Sequence, residues 1–416
     1  MHTTGTGCSD RGRKRDHNED RFHVDDELGL YIVSDGMGGH AKGEVASRLA
    51  VEAVAREVRH QRALVEAVAH QAAPAEALVQ LIEAAVQAAG RLIHDQAGAA
   101  PEQTGMGCTL TALVVAGSRA AMAHVGDSRL YLLRDGKLEQ LSQDHTYLAE
   151  MKRKGLDADE GLAKRFGHIL SRALGSQAAV EVDTLAFETV PGDRLLLCSD
   201  GITRYVPDED ALVARLAGDD PDLVAEALVG FANESGGADN STAVVIQVAS
   251  DDADDEVAQR VRTDCQVKLD ALSSVFLFES MSFARISRVL NACEVEVWEA
   301  GREVVGQGDR LASLIVVLSG ELELTRGSEV IGLVRAGEEV GATSLARPRT
   351  ARAGLQSRER TKLLRLKRSR FRDLAQARPG LGLALLERLA LRLGDDLDAA
   401  LAVAAQTPGD ADPGLL

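Results

Sequence analysis

GDRLLLCSDGITRYV, residues 192–206, sets the reading of this chain. Its apolar centre, Arg194–Cys198, is short and bounded by turn-forming residues, so it reads as a buried strand. The strand stops at an acid, Asp200, that is followed by glycine. The same ending occurs in LYIVSDG, residues 30–36, where Asp35 closes an apolar run. Working outward, short apolar stretches at 28–34, 110–115, 120–125, 129–133 and 243–248 read as further strands. Ala-rich segments at 43–62 and 74–95 place apolar residues at helical spacing, and 223–234 reads as a third helix. Strands, then long helices, then more strands do not make a βαβ alternation. The order predicts an α+β fold with helices outside antiparallel sheets.

The chain has 416 residues, enough for two or three domains. Its formal charge is −17, and the acids concentrate in the first part. Residues 1–250 hold 24 Lys and Arg against 38 Asp and Glu, and the rest hold 23 against 26. An acidic first half disfavours binding to a phosphate backbone, so no nucleic-acid partner is expected. It suits hard divalent cations, which prefer carboxylate oxygen. No apolar run approaches the ~18 residues of a membrane helix, and the N-terminus has no apolar core before its charges. We therefore expect a cytoplasmic protein without membrane contact. The five scattered cysteines form no CxxC pair, so neither a disulfide framework nor a structural zinc site is expected.

The run SDDADDE at 250–256 repels itself and reads as a linker. The expected domains are 1–250, a linker and connecting helix at 251–271, a second domain at 272–394, and a helix end with a frayed tail at 395–416. Glycines recur every few residues from Gly301 to Gly341, and that density of turns predicts a small β-barrel or jelly roll.

Five acidic clusters stand beside predicted strands or loops: Asn18-Glu19-Asp20, Asp35-Gly36, Gly126-Asp127, Asp200-Gly201 and Asp239-Asn240. Any one aspartate after a strand reads as a turn residue bonded to its own backbone. Several brought together would repel unless cations sat between them. Two such ions sharing a carboxylate lower the pKa of the water between them. Arg15 is either a phosphate clamp or one more surface arginine in the run from Arg11. Cys198 and Arg204 match C-x5-R, the cysteine-phosphatase pattern, but Cys198 reads as a strand hydrophobe and Asp200 would repel a phosphate. Gly36-Met-Gly-Gly-His-Ala mimics a dinucleotide fingerprint, yet no acid ends a second parallel strand about 20 residues on. His17, His40 and His145 read as polar loop residues.

SDRGRKRDHNEDRF, VSDGMGGHAKGEVAS, GCTLTALVV, AHVGDSRLYLLRDG, LSQDHT, ILSRALG, GDRLLLCSDGITRYV and ADNSTAVVI occur in order. Together they resemble the bacterial type 2C metal-dependent protein serine/threonine phosphatases over residues 5–248. The resemblance implies an α-β-β-α sandwich with two Mn²⁺ or Mg²⁺ ions at one end and a third held more weakly. It implies that Asp35 bridges the metals, Gly36 offers its carbonyl, and Asp200 and Asp239 complete the first site. Glu19 and Asp20 would hold metal-bound waters, Asp127 would serve the third ion, and Arg15 would bind the phosphate. Residues 145–174 would form a flap. The reaction implied is attack of a metal-activated water on phosphoserine or phosphothreonine, with eukaryotic-like kinases or their substrates as partners. Met37 stands where many eukaryotic members carry a histidine. The competing reading is a non-catalytic signalling scaffold.

VFLFESMSFARISRVL, WEAGREVVGQGDRLASLIVVLSGELEL and GLVRAGEEVGATSLARPRTARA resemble a cyclic-nucleotide-binding domain. The resemblance implies a jelly roll whose cassette, at Gly341 and Arg349, meets a cyclic phosphate. Ala342 replaces the family's ribose-binding glutamate, which puts affinity for cAMP or cGMP in doubt. The basic cluster from Arg347 to Arg372 is expected to be a solvated face near the acidic linker.

Overall fold

The computed structural model describes residues 1–38, 42–99, 105–156, 166, 169–206, 208–218, 220–250 and 255–405. His40, residues 157–165 and 167–168 of the expected flap, residues 251–254 of the linker and the tail at 408–416 lie outside them. The chain divides into two compact units, Met1–Thr263 and Asp264–Leu416.

The first unit is a sandwich of two five-stranded antiparallel sheets. One runs His2–Asp10, Ser241–Ala249, Arg194–Cys198, Arg129–Arg134, Lys137–Gln140. The other runs Asp183–Glu188, Arg119–Val125, Leu110–Ala116, Leu30–Ser34, Arg21–Asp25. Leu30–Ser34 is buried along its whole length. Its Leu30 and Ile32 join the helices Lys42–His60 and Glu76–Ala99 in one core, and alternation turns Tyr31 and Val33 to the other face. On the far side, helix Pro221–Glu234 buries Ala225, Leu228 and Ala232 with Leu196, Cys198, Ala243 and Val245. Asp220 caps that helix by accepting from the Asp222 N–H, and Pro221 starts it with a preset φ. The layers are therefore α-β-β-α.

The segment expected as one helix at 43–62 breaks at Gln61, whose φ of −100° and ψ of 22° precede a second helix, Arg62–Ala69. The strand His2–Asp10 carries no apolar alternation and was not expected. It forms because all nine residues pair with Ser241–Ala249. Gly5 and Gly7 leave room there for two rings: a Cβ on either would meet Tyr31 or Phe22 at 2.3 Å. Arg21–Asp25, Lys137–Gln140 and Asp183–Glu188 were also unforeseen, and all three are edge strands.

The second unit holds two four-stranded antiparallel sheets. One runs Glu294–Trp298, Thr361–Lys367, Ser313–Ser319, Glu339–Val340, and the other Glu303–Val305, Gly354–Ser357, Glu321–Arg326, Glu329–Arg335. Ile315, Val317, Leu322, Leu355 and Leu363 fill the space between them. Helix Pro379–Ala405 continues through residue 394 without a break. Most of the basic cluster is exposed, as a solvated face should be, and part of it is also paired. Arg365 grips Glu296 at 2.7 Å, Lys367 meets Glu294 at 2.6 Å and Arg358 meets Glu321 at 3.1 Å. Lys362 pairs with Asp264. These four charges are matched across neighbouring strands and a helix.

At one rim of the sandwich Asp193, 1% exposed, is held by a fork from Arg134, Nε to Oδ1 at 2.7 Å and Nη2 to Oδ2 at 2.6 Å. It also accepts the Val190 N–H, while Arg134 donates to the Glu188 carbonyl. Removing the guanidinium strands a buried charge. Arg134→Met is expected to cost about 3–5 kcal/mol, read as a lowered urea midpoint for the first unit. An unchanged midpoint would show that the fork contributes nothing.

Candidate active site

Antiparallel neighbours place the end of one strand beside the start of the next, and this gathers the acids. Asp35 follows Leu30–Ser34, Asp127 follows Arg119–Val125 and Asp200 follows Arg194–Cys198, while Asp20 and Asp239 stand just before Arg21–Asp25 and Ser241–Ala249. All of these ends lie at one rim. A cavity of about 830 Å³ opens there, lined by Arg15, Glu19, Asp35, Gly36, Asp127, Asp200 and Asp239, with Arg172, Arg204 and Thr109. Asp20 lies buried beside it, 1% exposed.

Thr109 grips the backbone of Asp35 on both sides. Its N–H donates to the Asp35 carbonyl at 2.8 Å, and its Oγ1 accepts the Asp35 N–H at 2.9 Å. The Thr109 and Ser128 hydroxyls lie 2.6 Å apart, which couples this loop to the one carrying Asp127. Gly126 has a φ of +109°, and a Cβ there would meet Thr109 at 2.6 Å. Gly36 is required for space rather than for an unusual φ. A Cβ would meet the Gly43 carbonyl at 2.2 Å and the Glu19 carbonyl at 2.6 Å. Asp20 Oδ2 accepts from the Ser199 and Thr242 hydroxyls, each at 2.7 Å, and its Oδ1 has no partner. Asp200 Oδ1 is also unpartnered.

Burial and mutual repulsion hold these carboxyls above their usual range. Burial dominates for Asp35, followed by the charges of Asp20, Asp200, Asp127 and Asp239. Asp20 is pushed up to about 7 by burial, against the pull of its two hydroxyl donors. Asp127 is pushed up to about 7 by burial and by Asp200 and Asp144. Asp200 is raised by burial and Asp239, against Arg204. Cations between these groups would relieve that cost, and the all-oxygen donor set is the one hard divalent ions take. Among the described residues no three such side chains close around one point.

Two arginines sit against the acids. Arg15 Nη2 is 2.8 Å from Asp239 Oδ2, and Arg204 Nη2 reaches Asp200 at 3.1 Å and Asp239 at 3.6 Å. Sequence reasoning placed Arg204 only in the cysteine-phosphatase pattern, although its position four residues after Asp200 could have shown the pair. It passed over the Thr109, Ser199 and Thr242 hydroxyls entirely. His145 is a loop residue, as expected, but it is fully buried and its Nδ1 accepts the Gly126 N–H at 3.1 Å. The rival patterns fail on geometry. Cys198 is fully buried, and burial pushes its thiol up to about 12, so no thiolate is available. Leu30–Ser34 pairs antiparallel on both sides, unlike a dinucleotide-binding strand.

Comparison with known proteins agrees with this geometry. Residues 4–219 match the family model of protein phosphatase 2C, and residues 295–378 match that of the cyclic nucleotide-binding domain. The serine/threonine phosphatase stp of Listeria welshimeri is 37% identical over 246 residues, 58% of this chain and 93% of that protein. The serine/threonine protein phosphatase PstP of Mycobacterium tuberculosis is 38% identical over 247 residues, 59% of this chain and 45% of that one. The crystal structure of Mycobacterium tuberculosis PstP superposes with a TM-score of 0.54 at 35% identity, covering 60% of this chain and all of that one. A second structure, the catalytic domain of PstP in complex with two manganese ions, gives 0.51 at 36% identity, covering 60% and 99%. An acid-lined rim on an α-β-β-α sandwich, together with a family match over more than half of its length, places this chain in the protein phosphatase 2C family, as a protein serine/threonine phosphatase that also carries a cyclic nucleotide-binding domain.

Proposed function

We propose that the rim described above is where this phosphatase hydrolyses phosphoserine and phosphothreonine, and that it does so with divalent cations. The reading rests on the convergence of acids from five separate segments into one cavity. A relative's catalytic domain holds two manganese ions, and on that likeness we assign Mn²⁺ or Mg²⁺ to this chain. Asp35, Asp200 and Asp239 would hold them, with the Gly36 carbonyl, and Glu19 and Asp20 would act through bound water. Asp127 would serve a third, weaker ion. Bound there, the cations supply charge neutralisation and a water of lowered pKa for in-line attack on the ester. The chain's own residues position the rest. Thr109 fixes the Asp35 backbone, Ser199 and Thr242 hold one oxygen of Asp20, and Arg15 at the cavity mouth meets the phosphate oxygens. Substrates are phosphorylated proteins, and we place eukaryotic-like kinases or their targets among them. The five free thiols suit the cytoplasm.

Outer-shell partners of a metal site alone are worth about 10–100-fold. Asp35→Asn is therefore expected to lose more than that in Mn²⁺-dependent hydrolysis of p-nitrophenyl phosphate while the circular dichroism spectrum is kept. Full activity in this variant would refute the assignment. Chelation with EDTA is expected to abolish turnover and added Mn²⁺ to restore it. Iodoacetamide is expected to leave activity intact, because Cys198 is closed to solvent; inhibition that tracks labelling of Cys198 would revive the thiolate mechanism.

For the second unit we propose a ligand-sensing role, with a cyclic nucleotide as the candidate effector at Gly341 and Arg349. Arg349 is exposed on a two-stranded ribbon with Arg310–Leu311, and Gly341, at a φ of +90°, opens the short helix Ala342–Leu345. The Ala342 N–H already donates to Glu339 Oε2 at 3.2 Å. A cyclic phosphate has to displace that carboxylate, and the apolar Ala342 side chain gives the ribose hydroxyl no acceptor. Binding of cAMP or cGMP is thus expected to be weak and to depend on Arg349. Calorimetry on the wild type and Arg349→Ala tests it, and binding indifferent to the substitution would dismiss the site.

A further inference from the structure

The segment Arg11-Gly-Arg-Lys-Arg15 is a basic run in a unit whose acids outnumber its basic residues. Its backbone is clamped to the rim of the cavity. The Arg13 and Lys14 N–H groups both donate to the Gly237 carbonyl, at 2.7 and 3.2 Å. Asn240 Nδ2 donates to the carbonyls of Arg11 and His17, each at 2.9 Å. Gly12, at a φ of +82°, lies so close to Asp239 that a Cβ would meet its carbonyl at 2.3 Å. The segment therefore runs as a fixed strap beside Asp239, one wall of the cavity.

Its side chains are committed differently. Arg15 is tied to Asp239. Arg11, Arg13 and Lys14 are exposed, and among the described residues none of the three forms an ion pair. The Arg13 stem lies across Gly237, whose missing Cβ makes room for it. Asp10 gives an oxygen to the Gly12 N–H, and Asp16 is exposed at the end of the strap. On the other wall, Arg172 is already occupied by Glu181 at 2.9 Å and Asp183 at 3.3 Å.

We propose that this strap is a docking surface for an acidic flank of the substrate. The enzyme then selects phosphoserine or phosphothreonine that has Asp, Glu or a second phosphate a few residues away. The inference deepens the reading of the active site and rests on it. Arg13 and Lys14 lie in the turn just before Arg15, and an extended substrate advances about 3.3–3.6 Å per residue. A negative group two or three positions from a scissile phosphate held at Arg15 would then lie on the side of the strap that carries Arg13 and Lys14. A field of one sign beside a cleft raises the capture of the opposite charge by about tenfold or more, and salt screens it.

The test uses the full chain with Mn²⁺ and three phosphothreonine peptides of one length: a neutral flank, an Asp/Glu flank and a second phosphothreonine. Wild type is expected to favour the two acidic peptides about tenfold in kcat/KM, through KM, with the preference shrinking as salt is raised. R13A/K14A is expected to lose the preference while p-nitrophenyl phosphate turnover stays at the wild-type value, and R13E/K14E to reverse it. Preference for the doubly phosphorylated peptide alone would narrow the flank to a phosphate and still support the strap. No preference in wild type, or one that survives in both variants, overturns the proposal. So does loss of p-nitrophenyl phosphate turnover in R13A/K14A, which would make the strap part of the hydrolytic centre. Absence of all Mn²⁺-dependent turnover in wild type would instead sink the site reading, and the strap with it.

Discussion

Repulsion among buried carboxylates is the constraint on which the rest of this architecture depends. Asp20, Asp35, Asp127 and Asp200 all lie where water is scarce and like charge is near, and each is held above its usual range. Nothing in such a cluster is self-stabilising. It persists because the acids are attached to strand ends of two well-packed sheets, whose burial outweighs the local electrostatic cost. Partial relief comes from within the chain. Two hydroxyls serve Asp20, and two guanidinium groups lean on Asp239. The same repulsion that burdens the fold makes the rim receptive to positive ions.

Precision at the rim comes from small residues and hydroxyls rather than from the acids themselves. Thr109 is the hinge of this arrangement, since it holds the Asp35 backbone and reaches Ser128 in the neighbouring loop. Asn240 does the same on the other sheet. Its side chain accepts the Glu19 N–H at 2.8 Å and donates to the carbonyls of Arg11 and His17. Through Asn240 the loop bearing Glu19 and the basic strap share one anchor next to Asp239. Tight backbone approaches at Gly36 and Gly12 complete the arrangement.

The sequence made the central strands legible, because Arg194–Cys198 and Leu30–Ser34 are apolar on both faces and end on acids. It did not reveal His2–Asp10, whose residues are small or polar and become a strand only through a partner far away in the chain. The acids could be listed from their motifs, but not the basis of their placement. The hydroxyls of Thr109, Ser199 and Thr242 carry no local pattern, since their partners lie in distant segments. The burial of His145 in its loop was hidden for a similar reason. Its setting comes from Gly126 and from Asp183, 3.3 Å away, and no spacing within LSQDHT encodes that. The ion pairs inside the basic cluster of the second unit were not legible, because partners such as Glu296 and Glu321 lie on strands that pair only after folding.

Helix Asp255–Ser273 begins beyond the last strand of the sandwich, yet its Arg262 caps a turn of the first unit. Arg262 Nε donates to the Pro191 carbonyl at 2.6 Å, and its guanidinium covers Gly192. A Cβ at Gly192 would collide with it at 1.9 Å. The piece of polypeptide that behaves as one heritable building block is therefore longer than its sheets. Any recombination that shuffled this catalytic module onto another partner would have to bring the opening turns of that helix along, or leave the 191–192 corner bare.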